Sequence, residues 1–315
     1  MSNPLVILCP GQGAQALGMA KPWVDASPEA RDVFARADKL LGNRLGAPLS
    51  TLCFEGPAER LNQTDVSQPA IYTAGYAAWK GLLARWSFGN GETPLAATAG
   101  LSLGEYTALA VAGAISFEQG LELVTLRGRA MQDAAEASPG GMVALIGADE
   151  EQAAQVCDKA RGGDVLVCAN FNAPGQIVLS GHKVACERAA QVAGEMNLRA
   201  TLLVVAGAFH SPLMQPAADR LSAALAKADL RAPRCPVLSN ASGVPHEPDP
   251  DSIRRRLVEQ LTSPVRWSQN AAWIMKHVVG ANPATELHEL TPGKTLAGLF
   301  RRIDKSAKVT THEEP

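Results

Sequence analysis

Residues 94–106 read Pro94-Leu95-Ala96-Ala97-Thr98-Ala99-Gly100-Leu101-Ser102-Leu103-Gly104-Glu105-Tyr106. An apolar run of strand length, Pro94 to Ala99, enters a turn bounded by two glycines, and a helical pattern from Glu105 to Ala112 leaves it. Strand, sharp turn and helix in that order make a βα unit of a parallel sheet. The turn itself fits G-x-S-x-G, in which a serine sits on a strained backbone between strand and helix, with its hydroxyl exposed and the following N–H free to face an oxyanion. Glycine and serine are common enough for that pattern to arise by chance in roughly one chain in ten of this length. The strand before it and the helix after it make Ser102 a candidate nucleophile rather than an ordinary loop residue.

Outward from this unit the pattern repeats. Leu5 to Cys9 is a first strand and ends in Pro10-Gly11-Gln12-Gly13-Ala14-Gln15; helices are expected over 28–41, 70–86 and 117–137. Pro139-Gly140-Gly141 then opens a stretch of different character. Its elements are strand (142–146), helix (150–159), strand (165–168), strand (177–180), helix (184–196) and strand (200–204). This β-α-β-β-α-β order is ferredoxin-like, and it predicts an inserted subdomain over 139–205 within a discontinuous α/β domain formed by 1–138 and 206–315. Beyond it, helices (214–227, 252–261, 268–277) alternate with short apolar runs (236–239, 285–290), and the polar tail from Asp304 to Pro315 is expected to fray.

Composition narrows the function. The chain has 315 residues, 46% hydrophobic, with 29 basic and 31 acidic side chains and a net charge of −2. That balance leaves no electrostatic footprint for bulk nucleic-acid binding. No apolar run is long enough for a membrane helix, and Met1-Ser2-Asn3-Pro4 carries no basic export region. Six cysteines stand at irregular spacings without CxxC pairs, so they read as small buried hydrophobes of a reducing cytoplasm, not as a zinc site.

A serine nucleophile needs a base. Of six histidines, His312 lies in the tail, His182 in the insertion, His246 between prolines in a surface-looking loop, and His277 and His288 near a helix end and in a strand-like run. His210 follows the apolar run Leu202-Leu203-Val204-Val205, in Gly207-Ala208-Phe209-His210-Ser211-Pro212, where the chain re-enters the main domain. Strand ends leading into loops are where open α/β sheets build their sites. Arg127 and Arg129 lie two apart on one helix, so only one of them can face the serine; there it could clamp a carboxylate. Two lookalikes fail. Gly11 to Ala16 matches a relaxed dinucleotide motif, but no second strand ending in an acid follows. Gly293-Lys294-Thr295 lacks the first glycine of a phosphate loop.

Taken together these residues resemble the malonyl-CoA:acyl carrier protein transacylase family, along nearly the whole chain: Pro10 to Gln15, Gln68-Pro69-Ala70, Ser102 to Tyr106, Arg127-Gly128, Asn172-Ala173-Pro174-Gly175-Gln176, Gly207 to Ser211, Ser239-Asn240, Gln260-Leu261, Pro264 to Trp267 and Pro292-Gly293-Lys294. The resemblance implies an α/β-hydrolase-like domain carrying a ferredoxin-like insertion. It implies transfer of a malonyl group from coenzyme A to the phosphopantetheine thiol of an acyl carrier protein, with no metal and no cofactor, in fatty acid or polyketide synthesis. By position, Ser102 matches the acylated nucleophile and His210 its base. Gln12 and Leu103 match the oxyanion-hole N–H groups, and Gln260 matches the residue whose carbonyl orients the histidine. Arg127 matches the carboxylate-binding arginine, Phe209 the aromatic of malonyl-selective members, and Asn172 a substrate-binding residue. The family's usual histidine before the nucleophile is replaced by Leu101. Rival readings are the transacylase component of a malonate decarboxylase, a serine hydrolase, and a carrier-binding module without chemistry. Arg254-Arg255-Arg256 and Arg301-Arg302 are candidate docking patches for an acidic carrier, though exposed arginines are usually only solvated.

Overall fold

The computed structural model describes residues 3–86 and 93–315. The chain opens with β1 (Leu5–Cys9), followed by α1 (Lys21–Ala26), α2 (Pro28–Leu41), α3 (Leu49–Phe54), α4 (Ala58–Leu61) and α5 (Thr64–Arg85). Next come β2 (Leu95–Gly100), α6 (Gly104–Val111) and α7 (Phe117–Ala137). A second run follows: β3 (Gly140–Ile146), α8 (Glu150–Arg161), β4 (Leu166–Ala173), β5 (Gln176–His182), α9 (Lys183–Glu195) and β6 (Arg199–Leu202). The remainder is α10 (Gln215–Leu225), α11 (Pro250–Glu259), α12 (Trp267–Ile274), β7 (Glu286–Leu290), α13 (Thr295–Ile303) and β8 (Val309–His312).

Two sheets result. The first has the order β2-β1-β7-β8 and is parallel throughout. β1 is buried on both faces, as its uninterrupted apolar run requires. Leu5, Ile7 and Cys9 join the core beneath α5 and α7, while Val6 and Leu8 join Trp267, Leu296 and Phe300 on the other side. The second sheet has the order β4-β5-β3-β6 and is antiparallel. Along this stretch the first strand lies between the third and the fourth, the spatial order of a ferredoxin-like unit. α8 and α9 cover one face around Val143, Leu145 and Leu179. The other face, with Met142, Asn170, Asn172, Gln176 and Val178, is left to line a cavity. The second sheet is tied to the first domain where Phe171 N donates to Val265 O (2.9 Å) and Val265 N to Ala169 O (2.8 Å).

Three expectations need correcting. The helix expected from Ala70 begins at Thr64, so Pro69 lies inside it. An interior proline removes one backbone bond and costs about 3 kcal/mol in an exposed helix, but residues Thr64 to Gly75 are buried without a break, and packing overrides the local penalty. β6 ends at Leu202, two residues early, and Val204 is fully exposed. The tail does not fray. β8 pairs in parallel with β7, His312 O accepts from Trp23 Nε1 (2.9 Å), and the His288 and His312 rings meet at 2.9 Å. Among the described residues no helix is long and apolar enough to cross a membrane.

Truncation before Lys305 should therefore bare the β7 edge and orphan the buried Trp23 indole. A loss of about 2 kcal/mol or more is expected from those hydrogen bonds alone, read as a lower denaturant midpoint. An unchanged midpoint would mean the tail strand contributes nothing.

Candidate active site

β1 and β2 are paired so that Cys9 faces Gly100, and the loops leaving both strands meet at one end of the sheet. The turn after β2 is tight. Ser102 has φ +52, a left-handed conformation that costs a non-glycine residue about 1–3 kcal/mol. The flanking glycines have no room for a side chain. A Cβ on Gly100 would lie 1.9 Å from the Gly104 carbonyl carbon, and one on Gly104 would lie 2.1 Å from the Cys9 carbonyl oxygen. Asn240 braces the strained turn. Its Oδ1 accepts from Ser102 N (2.5 Å) and its Nδ2 donates to Gly100 O (2.7 Å). Leu103 stands at the N-cap of α6, where backbone N–H groups lack intrahelical acceptors.

The serine lies at the base of a cavity of about 650 Å³. Gln12, Leu101, Asn172, Phe209 and His210 line it, together with the open face of the second sheet and Thr295 and Leu299 of α13. His210 follows the last strand of that sheet in the chain. Its Nε2 lies 2.8 Å from Ser102 Oγ and its Nδ1 lies 2.8 Å from the backbone oxygen of Gln260. A carbonyl oxygen can only accept, so the proton sits on Nδ1 and Nε2 is left to take the serine O–H. Burial, the neighbouring positive charge of Arg127 and a smaller opposing effect of the Gln260 carbonyl bring the imidazole down to about 4. It is a neutral base well below neutral pH.

Of the two arginines, Arg127 is buried at 1% exposure and Arg129 turns outward to Asp133. Arg127 donates to Ser102 Oγ (3.0 Å), Gln260 Oε1 (2.9 Å) and Gln68 Oε1 (2.7 Å), all neutral acceptors. Its Nε has no partner in the described structure. Desolvation lowers its pKa, yet a guanidinium stays charged in a protein. The guanidinium lies over the Tyr106 ring, 5.6 Å from its centroid, and a buried cation with only neutral acceptors is suited to receive an anion. Asn172 Oδ1 is also buried without a partner at the cavity wall.

The sequence reading missed the layer beneath. Glu105, the second residue of α6, is completely buried. Its Oε2 accepts from Asn240 N (2.9 Å) and Gln260 Nε2 (2.7 Å), and its Oε1 meets His246 Nε2 at 2.7 Å. His246 is thus a buried partner of Glu105, not a surface residue; its proline-flanked loop folds inward. The position of Glu105 directly after the serine turn was the available signal. Arg254 is likewise structural, since it donates to the Leu225 and Ala228 carbonyls at the end of α10. Arg301 and Arg302 line a separate shallow cavity with Pro174 and Lys305.

Comparisons with known proteins show the family and the overall fold. A family model described as an acyl transferase domain matches residues 6–284. The malonyl CoA-acyl carrier protein transacylase of Salmonella typhimurium is 40% identical over 307 residues, which is 97% of this chain and 94% of that protein. The crystal structure of the malonyl-CoA:acyl carrier protein transacylase of Xanthomonas oryzae superposes with a TM-score of 0.90 at 39% identity, covering 100% of this chain and 96% of that one. A malonyl-transacylase solved in complex with a type II polyketide acyl carrier protein gives a TM-score of 0.91 at 36% identity, covering 99% and 96%.

The depressed His210 pKa sets a pH dependence. Because burial and Arg127 disfavour the imidazolium, the rate of serine acylation should stay level from pH 8 to 5 and fall only as His210 takes its proton near pH 4. The same shift acts on stability: from about pH 6.5 downward the unfolded chain binds a proton the folded one refuses, so stability drains over that window. Single-turnover acylation whose acid limb sat near 6.5 would contradict this environment for His210.

Proposed function

The chain belongs to the acyl transferase domain family, among the malonyl-CoA:acyl carrier protein transacylases, and we infer that it moves a malonyl group from coenzyme A to the phosphopantetheine thiol of an acyl carrier protein through a malonyl ester on Ser102. The observation that carries the reading is the convergence on one serine oxygen of a neutral imidazole at 2.8 Å and a buried guanidinium at 3.0 Å.

The cycle has two halves. In the first, His210 Nε2 takes the Ser102 proton as Oγ attacks the thioester carbonyl, and the charge on that oxygen is received by the Gln12 and Leu103 N–H groups. The C–S bond breaks and the proton passes from His210 to the departing coenzyme A sulfur. In the second half the carrier thiol gives its proton to His210 and attacks the ester; the C–Oγ bond breaks and the proton returns to Ser102. Arg127 holds the free malonyl carboxylate, a burial that would be prohibitive without a cation. Phe209 and Asn172 line the acyl and pantetheine path. Every proton and charge in this sequence is handled by side chains and backbone of the chain itself, so the proposal invokes no metal or cofactor. Fatty acid or polyketide synthesis is the proposed destination and the cytoplasm, where free thiols such as these persist, the proposed location.

Replacing Arg127 with alanine separates clamp from chemistry. Losing one partner of a buried charge pair costs about 2–5 kcal/mol, so malonyl transfer should fall at least about thirtyfold in kcat/KM while acetyl transfer survives or rises. An unchanged malonyl preference would refute the clamp. In the wild type, labelled malonyl-CoA should leave the label on Ser102 until carrier thiol discharges it; prompt release of free malonate would instead mark a hydrolase.

A further inference from the structure

The catalytic groups do not rest on one another alone. Gln260 touches three of them: its backbone oxygen meets His210 Nδ1 at 2.8 Å, its Oε1 accepts from Arg127 at 2.9 Å, and its Nε2 donates to Ser102 O at 3.0 Å. What holds the Gln260 amide is the carboxylate of Glu105, which accepts from Nε2 at 2.7 Å. The other contacts of that carboxylate lead to the same place. It accepts from the backbone N of Asn240, whose side chain braces the strained Ser102 turn, and it is itself held by buried His246.

Resting on the transacylase reading, we propose that Glu105 is a positioning residue for the reaction: a buried carboxylate that touches no substrate but, through Gln260 and Asn240, sets the places of the base, the carboxylate clamp and the nucleophile together. The orientation of His210 is usually secured in serine enzymes by an acid bound directly to the imidazole. In this chain a main-chain carbonyl makes that bond, and the acid stands one residue further back. The arrangement keeps the carboxylate out of contact with the Arg127 guanidinium, whose acceptors are all neutral. A direct ion pair would occupy the donors that a malonyl carboxylate needs; a relay through an amide does not.

The role is one of reach rather than charge, and two variants divide the possibilities. In Glu105→Gln the new carbonyl oxygen can accept from Asn240 N and Gln260 Nε2, while the new amide donates to His246 in its other tautomer. Glu105→Asp keeps the charge but withdraws the oxygens by one methylene. Rates are measured per active site, from the burst of serine acylation, so that misfolded copies drop out. Expected is a Glu105→Gln variant within about threefold of wild type in kcat and a Glu105→Asp variant reduced about tenfold or more, for malonyl and acetyl thioesters alike, because misplacement of the base affects both. Gln260→Ala should show the same loss, and Glu105→Asp combined with Gln260→Ala should be no worse than either single change. Equal kcat per site for Glu105→Asp and wild type would overturn the proposal, as would a loss confined to malonyl or additive losses in the double variant. In each of those cases Ser102 acylation by labelled malonyl-CoA would still stand, so failure of the relay is distinguishable from failure of the transacylase reading.

Discussion

A backbone contact organises this protein: the α-carbon of Gly104 faces the carbonyl oxygen of Cys9 with no room for a methyl group between them. That approach is possible only because β1 and β2 run parallel and end level, Cys9 opposite Gly100. Everything chemical is placed relative to it. The loop from β1 delivers Gln12, the turn from β2 delivers Ser102 and Leu103, and α6 starts at once with its N-terminus under the serine. A left-handed serine is locally unfavourable. It persists because two strands, a helix start and the Asn240 side chain determine the same short turn.

The base arrives by a longer route. Between the serine turn and His210 the chain builds a whole second sheet, and the face that α8 and α9 leave bare becomes a wall of the cavity. Bound to a carbonyl rather than a carboxylate, the His210 ring gains the correct tautomer without gaining a charge to stabilise its protonated form. The imidazole consequently stays unprotonated until the pH approaches about 4. Thioester exchange tolerates this, because the leaving group is a thiol that ionises near pH ~8.5 and departs without a strong acid, whereas an amide nitrogen would need one.

Much of this was legible from residue order. The turn glycines, the strand before them and the helix after them identify Ser102, and the alternation of elements over the middle of the chain announces the second sheet, with boundaries close to those observed. His210 was legible by its place after an apolar run. The failures share a physical cause: local sequence does not say which loop turns inward or which polar helix start is buried. Pro69 reads as a helix boundary until packing on all sides of α5 outweighs one lost hydrogen bond. His246, between prolines, reads as surface until Glu105 is seen beneath it. Val309 to His312 is too short and polar to look like a strand, and becomes one because β7 offers an unpaired edge and Trp23 a buried donor.

The balance of charge explains why such a site would select a diacid. The Arg127 guanidinium and the Glu105 carboxyl group are separated by the Gln260 amide, which bonds to both. An acetyl thioester entering this site leaves Arg127 as it was, solvated by two amide oxygens and a hydroxyl. On the proposed reading a malonyl thioester brings a second negative charge to a cation whose hydrogen-bond acceptors here are all neutral, and a bond to a charged acceptor is the stronger one. The transition state then adds negative charge at the reacting oxygen, close to that carboxylate. In the proposed cycle the developing charge is assigned to backbone N–H groups at the strand end and helix start, apart from the guanidinium proposed for the carboxylate. On this proposal selectivity and rate draw on different parts of the fold, the first on a buried helix face of α7 and the second on the turn that Gly104 allows to close.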